Sequence, residues 1–262
     1  MTIMKTQDLT VKIQHKEILT KINLSFAAGR TTAIIGPNGS GKSTLLKALA
    51  GLNNNITGQV LFENRDIKEF SKKKLARNLA ILPQDPSVPA DLTVGELVQY
   101  GRFPYQQWFA RNEKEDQQCV EWAMQQTQIE AFKDRLVTTL SGGERQRTWI
   151  AMALAQNPKV LLLDEPTTYL DIAHQLEVMQ IIDSLTQKYK ITIIMVLHDI
   201  NQALQYANDL VVIKDQSVFA QGYPQTVLTA KLLENVFGVT ADFFTNHLGN
   251  KVLVPISLVK TE

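Results

Sequence analysis

Apolar positions change their spacing several times along this chain, and each change marks an element. Before residue 30 they alternate loosely: Leu9, Val11 and Ile13, then Ile18, then Ile22, Leu24 and Phe26. That period predicts two strands of an antiparallel flap, ended by Ala27-Ala28-Gly29. Unbroken β-branched or aliphatic runs at 31–35, 160–163 and 191–197 predict buried strands instead. Residues 45–50 are mostly strong helix formers, with Gly51 where a C-terminal cap belongs. Shorter strands are expected at 58–62 and 79–82, and a late hairpin from 210–213 and 217–220.

From Thr93 the texture becomes helical over 93–100, 113–127 and 141–156, with no convincing strand between. Residues 87–157 therefore read as a helical insertion in a single α/β domain whose core is 1–86 and 158–262. Inside the insertion, 101–109 reads as a connecting loop rich in aromatics, suited either to local packing or to a partner. Ile172, Leu176, Met179, Ile182 and Leu185 mark a long amphipathic helix. Thr229 suits the cap of a helix running to Phe237 and stopped by Gly238. A hairpin about Gly249-Asn250 is expected in the tail, which is too short for an independent regulatory domain.

Composition narrows the possibilities. With 262 residues, 44% hydrophobic and 20% charged, the sequence is that of an ordinary globular protein. A formal net charge of +1 gives no support to a nucleic-acid coat, and Lys72-Lys73-Lys74, without an aromatic platform, reads as a solvated helix face. The single cysteine, Cys119, excludes an internal disulfide and a cysteine-based zinc site, and suits a reducing compartment. Residues 1–10 lack an apolar signal core, and the run at 191–197 is far short of the roughly 20 residues of a membrane span. Any membrane role is thus expected to pass through a partner.

Chemistry enters at Gly36-Pro37-Asn38-Gly39-Ser40-Gly41-Lys42-Ser43-Thr44, which fits the phosphate-loop pattern between a strand and a helix. Its glycines let backbone N–H groups curl around a phosphate, and the helix start adds donors and a positive dipole end. Lys42 supplies a cation for the β- and γ-phosphates, and the Ser43 hydroxyl a ligand for Mg²⁺. A second apolar strand ends in Asp164-Glu165, where Asp164 can hold Mg²⁺ and Glu165 can polarise an attacking water. Leu140-Ser141-Gly142-Gly143-Glu144 contains a capping box, Ser141 with Glu144. Two glycines exceed what a cap needs, and they bare a second set of helix amides. Two anion sites beside one phosphate loop suggest a symmetric dimer in which each chain completes the other's site.

With these motifs assembled, the sequence resembles the nucleotide-binding subunit of an ATP-binding-cassette transporter over about residues 5–240. In chain order stand the Walker A loop (36–44), the Q-loop glutamine Gln84, the signature (140–144), the Walker B strand (160–165), the D-loop (168–171) and the switch histidine His198. The resemblance implies a P-loop NTPase (RecA-like) core with an antiparallel β flap and an inserted α-helical subdomain. It implies ATP and Mg²⁺ as cofactors, with Ser43, Gln84 and Asp164 around the metal. Two chains would sandwich two ATP molecules, Walker A of one facing Ser141, Gly142, Gly143 and Glu144 of the other. Glu165 would be the catalytic base, His198 would contact the γ-phosphate, Gln84 would sense metal and water, and Asp171 would communicate across the dimer. One departure stands out: the family usually stacks adenine on a tyrosine in the first hairpin, and the matching place here holds His15.

Finer features resemble the importers of iron–siderophore, haem and cobalamin: Thr93-Val94-Gly95-Glu96 leading to Gly101-Arg102-Phe103-Pro104, Leu170-Asp171-Ile172-Ala173-His174-Gln175, and Leu197-His198-Asp199-Ile200-Asn201-Gln202-Ala203. The match is closest to ferric hydroxamate uptake ATPases. The expectation is a homodimeric, ATP-hydrolysing motor, peripheral at the cytoplasmic face of the membrane. It would drive permease subunits fed by an extracytoplasmic solute-binding protein, without nucleic acid. The alternatives are an importer ATPase for haem or cobalamin, and a soluble cassette protein acting on DNA or ribosomes. The latter usually carries coiled coils or two cassettes.

Overall fold

The computed structural model describes residues 1–53, 55–86, 91–106, 113–247 and 249–259. The chain forms two compact units, one of Met1–Asp66 with Ile194–Glu262 and one of Ile67–Ile193.

In the first unit, β1 (Thr2–Ile13) and β2 (Lys16–Ala27) pair antiparallel about the turn Gln14-His15. The alternation read from the sequence is their inner face: Leu9, Val11, Ile22, Leu24 and Phe26 are buried, while Ile13 is exposed beside the turn. β3 (Thr31–Ile35), β-branched or aliphatic throughout, is buried at every residue. It leads through the glycine-rich loop into α1 (Lys42–Leu49). β4 (Ile56–Phe62) pairs with β1, and β5 (Arg65–Asp66) with β4, giving the flap order β2-β1-β4-β5. The tight turn between β4 and β5 is made by Glu63 and Asn64, both left-handed.

The second unit opens with α2 (Lys72–Ala76), capped by Ser71, whose hydroxyl accepts from Lys74 N. β6 (Leu79–Leu82) follows, then α3 (Val94–Gln99), α4 (Glu113–Gln126) and α5 (Gly142–Ala155). The segment Tyr100–Tyr105 is not the open connecting loop expected there but a 3₁₀ turn. Its anchor is Arg102, only 1% exposed, which donates to Asp116 Oδ1 at 2.7 Å and to Ala155 O at 2.9 Å. Tyr105 lies under the same guanidinium, 3.8 Å from it, and its hydroxyl reaches Gln156 O at 3.0 Å. Phe103 is 69% exposed, and Trp108 and Phe109 lie outside the described residues. The local-packing reading therefore holds for Tyr105 and not for Phe103.

β7 (Val160–Asp164), buried throughout, pairs in parallel with β6. α6 (Ile172–Tyr189) departs from the expected stripe. Its buried face begins at Val178 and Met179, whereas Ile172 is 79% and Leu176 45% exposed. Ile172 and Leu176 therefore lie off the helix's buried face. β8 (Thr192–Val196) carries the chain out of this unit.

Back in the first unit come α7 (Ile200–Tyr206), β9 (Asp209–Lys214) and β10 (Ser217–Gly222). β9 lies parallel to β3 and antiparallel to β10. α8 (Pro224–Val227) and α9 (Ala230–Phe237) follow, the latter capped by Thr229 and closed by left-handed Gly238 as the sequence indicated. The tail is a hairpin of β11 (Val239–Thr245) and β12 (Lys251–Leu258). Asn201 on α7 ties it down, donating to Leu253 O at 3.1 Å and accepting from Leu253 N at 2.8 Å. Among the described residues no helix is long and apolar enough to cross a membrane.

Candidate functional site

Residues 36–44 take their shape from the strands behind them. The parallel register of β3 and β9 sets Ile35 opposite Val212, and so brings the next residue, Gly36, against Ile213. A Cβ at Gly36 would lie 2.1 Å from Ile213 O, and the backbone there has φ 154°. Gly41 has φ 101°, and its Cβ would meet the Leu19 side chain at 2.8 Å. Only glycine fits either place, and the loop is bent as a result. The Lys42 side chain, 5% exposed, folds back across it, with Nζ donating to Gly36 O at 2.9 Å and Pro37 O at 3.0 Å. Ser43 and Thr44 sit half-buried in the first turn of α1, which has no side-chain cap, while Asn38 and Gly39 form the exposed rim.

Ser40 Oγ is buried and, among the described residues, makes no hydrogen bond. A loop that admits no Cβ at Gly36 or Gly41, an ammonium held on its carbonyls and an unsatisfied hydroxyl together fit a phosphate chain. His15 lies at the exposed β1–β2 turn, and His198 is exposed just past β8, followed by Asp199 as the cap of α7.

In the second unit, register again does the positioning. β6 and β7 pair Leu82 with Leu163, so the residues beyond both strand ends emerge side by side. There Gln84 Nε2 donates to Glu165 Oε2 at 2.5 Å, and Thr168 Oγ1 donates to the same oxygen at 3.1 Å. Glu165 is left-handed, φ 53°, which costs a residue with a Cβ roughly 1–2 kcal/mol. That conformation lifts the carboxylate out of the strand's alternation. Asp164, at the strand end, is 4% exposed. Its carboxylate is a hard oxygen donor of the kind Mg²⁺ selects, as is the Ser43 hydroxyl of the first unit.

The signature stretch begins α5 with the expected capping box: Ser141 Oγ accepts from Glu144 N at 3.3 Å, and Glu144 Oε2 accepts from Ser141 N at 2.8 Å. That backbone donor holds the Glu144 carboxyl below the usual carboxylate range. Gly142 is exposed, but Gly143 is buried, and its missing side chain has a packing reason that the sequence did not disclose: the imidazole of His174 fills the space. Asp171 caps α6 by accepting from His174 N at 2.9 Å, and that contact is the main reason its carboxyl titrates low. His174 and Thr168 stand in stretches the sequence singled out, but the seat of the His174 ring on Gly143, the bond of Thr168 to Glu165 and the α5–α6 ion pair of Arg147 with Glu177 were not read from it. For His174 a signal existed, its place three residues after a capping aspartate.

The ABC transporter family profile matches residues 19–168. The chain is 46% identical over 256 residues to the probable siderophore transport system ATP-binding protein YusV of Bacillus subtilis (strain 168), covering 97% of this chain and 93% of that one. It is 42% identical over 263 residues to the iron(3+)-hydroxamate import ATP-binding protein FhuC of the same organism, covering 100% and 98%. Among solved structures, the ATP-binding cassette MJ0796, dimeric and bound to ADP and Pi in a post-hydrolysis state, superposes with a TM-score of 0.71 at 28% identity, covering 85% of this chain and 99% of that one. The phosphate loop, the strand-end carboxylates and the full-length relatives agree: the chain belongs to the ABC transporter family, as one of its ATPase subunits.

Proposed function

We propose that this chain is the ATP-hydrolysing motor of an importer for ferric siderophores, of hydroxamate type, and that it works as a homodimer on a separate membrane permease. The observation that carries the catalytic part is Glu165, held at the end of β7 by Gln84 and Thr168. A carboxylate fixed by two donors on one oxygen is oriented to polarise a water for attack on the γ-phosphate. Lys42 and the loop amides would bind the phosphates, Ser43, Gln84 and Asp164 would serve the Mg²⁺, and His198 would contact the γ-phosphate. Bound Mg²⁺ supplies neutralisation of the charge that develops on the phosphate oxygens. His15 would support the adenine.

Dimerisation is supported by the exposed apolar strip Tyr169, Ile172 and Leu176, with Tyr169 92% exposed beside Asp171. Ser141, Gly142, Gly143 and Glu144 would then close over the partner's nucleotide. Docking of a short permease helix is supported by a groove lined by Leu92, Glu96, Gln99, exposed Tyr100 and Gln106, and by exposed Phe103, whose carbonyl accepts from Gln106 N. The cargo reading draws on the siderophore and hydroxamate relatives. It implies a peripheral position on the cytoplasmic face and a solute-binding protein upstream of the permease.

Affinity purification of the chain from membranes, followed by identification of its companions and of the ligand on the solute-binding protein, tests the whole reading. Recovery of a permease, a solute-binding protein and a ferric hydroxamate is expected. Recovery with ribosomes or DNA and no permease would overturn it.

A further inference from the structure

The starts of α5 and α6 are laid against each other in three steps. Leu170 Cδ2 lies 3.6 Å from where a Cβ on Gly142 would stand, and His174 Cδ2 lies 1.6 Å from where one on Gly143 would stand. No real Cβ survives the second approach, so ring and glycine share one space. One turn further on both helices, Arg147 pairs with Glu177. Asp171 grips the same histidine: its Oδ1 accepts from His174 N at 2.9 Å and lies 3.0 Å from ring Nδ1. That nitrogen is buried and not aligned for a hydrogen bond, so the ring is held by packing and by the proximity of the carboxylate.

We propose that His174 is a positioning residue. Seated on Gly143, its ring fixes the D-loop carboxylate Asp171 against the first turn of the signature helix, and the two motifs move as one body within the chain. The inference rests on the function proposed above, in which Gly142 and Gly143 serve a partner's nucleotide while Asp171 faces the same partner. A ring wedged at the helix start sets both at once. Without it, the first turn of α6 keeps its cap but loses its register on α5.

His174→Ala, His174→Gln, Gly143→Ala and the double variant Gly143→Ala/His174→Ala decide the matter, with ATP turnover, ATP affinity and urea unfolding measured for each. His174→Ala should lower kcat by roughly 10–100-fold, the scale of a displacement of about 1 Å at a catalytic centre. ATP affinity of the isolated chain should change less than about twofold, because residues 36–44 are untouched, and His174→Gln should restore part of the turnover. Gly143→Ala should unfold at lower urea than wild type, and adding His174→Ala should raise its midpoint, since the collision needs both side chains. Wild-type turnover in His174→Ala, or a double variant less stable than Gly143→Ala, overturns the proposal. A wild-type chain without ATPase activity overturns the function above instead. The unfolding cycle still decides the contact in that case, additivity counting against it.

Discussion

Gln84 and Glu165 share a hydrogen bond of 2.5 Å, made where two parallel strands end side by side. The glutamine is exposed, so its link to the carboxylate can be made and broken without disturbing the core. Substituting Gln84 by Ala should lower kcat by about tenfold, a fraction of the 10²–10⁴ ascribed to general acid–base groups, with ATP affinity little changed. Parallel turnover and titration measurements check this. A variant that turns over normally, or one that fails to bind ATP, would sink the assignment.

Lys42 is held to the loop by the carbonyls of Gly36 and Pro37. Those bonds place the ammonium where a phosphate would take it over. Lys42→Ala should therefore weaken nucleotide binding by about 1.5–3 kcal/mol, the worth of a hydrogen bond to a charged group, or roughly 10–150-fold. Equilibrium titration with ATP measures it, and unchanged affinity would count against the loop as the phosphate site.

His15 occupies an exposed turn with Ile13 exposed beside it. If adenine rests there, His15→Tyr should tighten ATP by about 0.5–1 kcal/mol, because a larger ring stacks over more area. Titration of both proteins with ATP and GTP gives the answer. No change with either base would move the platform to another residue of the hairpin.

Much of this was legible in the sequence because it is local. Strands β3, β7 and β8 are built from β-branched and aliphatic runs, and the caps at Ser141 and Thr229 follow short-range rules. What escaped depends on long-range partners. Nothing local to residues 101–109 marks Arg102 as a buried anchor, because its partners Asp116 and Ala155 O are distant in the sequence. Gly143 reads as a bare amide until His174 of another helix fills its missing side chain. The exposed ends of Ile172 and Leu176 break a helical stripe whose spacing alone predicted burial.

Arg102 gives a prediction about stability rather than catalysis. The ion pair with Asp116 is buried on both sides, 2% and 7% exposed, so removing the arginine takes the guanidinium away from a buried carboxylate. Arg102→Ala should cost about 3–5 kcal/mol in urea unfolding. Arg102→Lys should recover little, because an ammonium cannot reproduce a guanidinium that bonds Asp116 and Ala155 O while lying over Tyr105. A loss below about 1 kcal/mol, the worth of an exposed pair, would show that the contact is not an anchor.

Ferric hydroxamate uptake tests the central claim most directly. It is measured in cells that lack the native subunit and carry the cognate permease and solute-binding protein, supplied with either the wild-type chain or Glu165→Gln. The substitution keeps the size and much of the hydrogen bonding but removes the charge proposed to polarise water, so turnover should fall by about 10²–10⁴ while ATP and permease remain bound. Uptake should be restored by the wild-type chain and absent with Glu165→Gln. Equal uptake with both chains would contradict the account, as would a wild-type chain that restores only haem or cobalamin uptake.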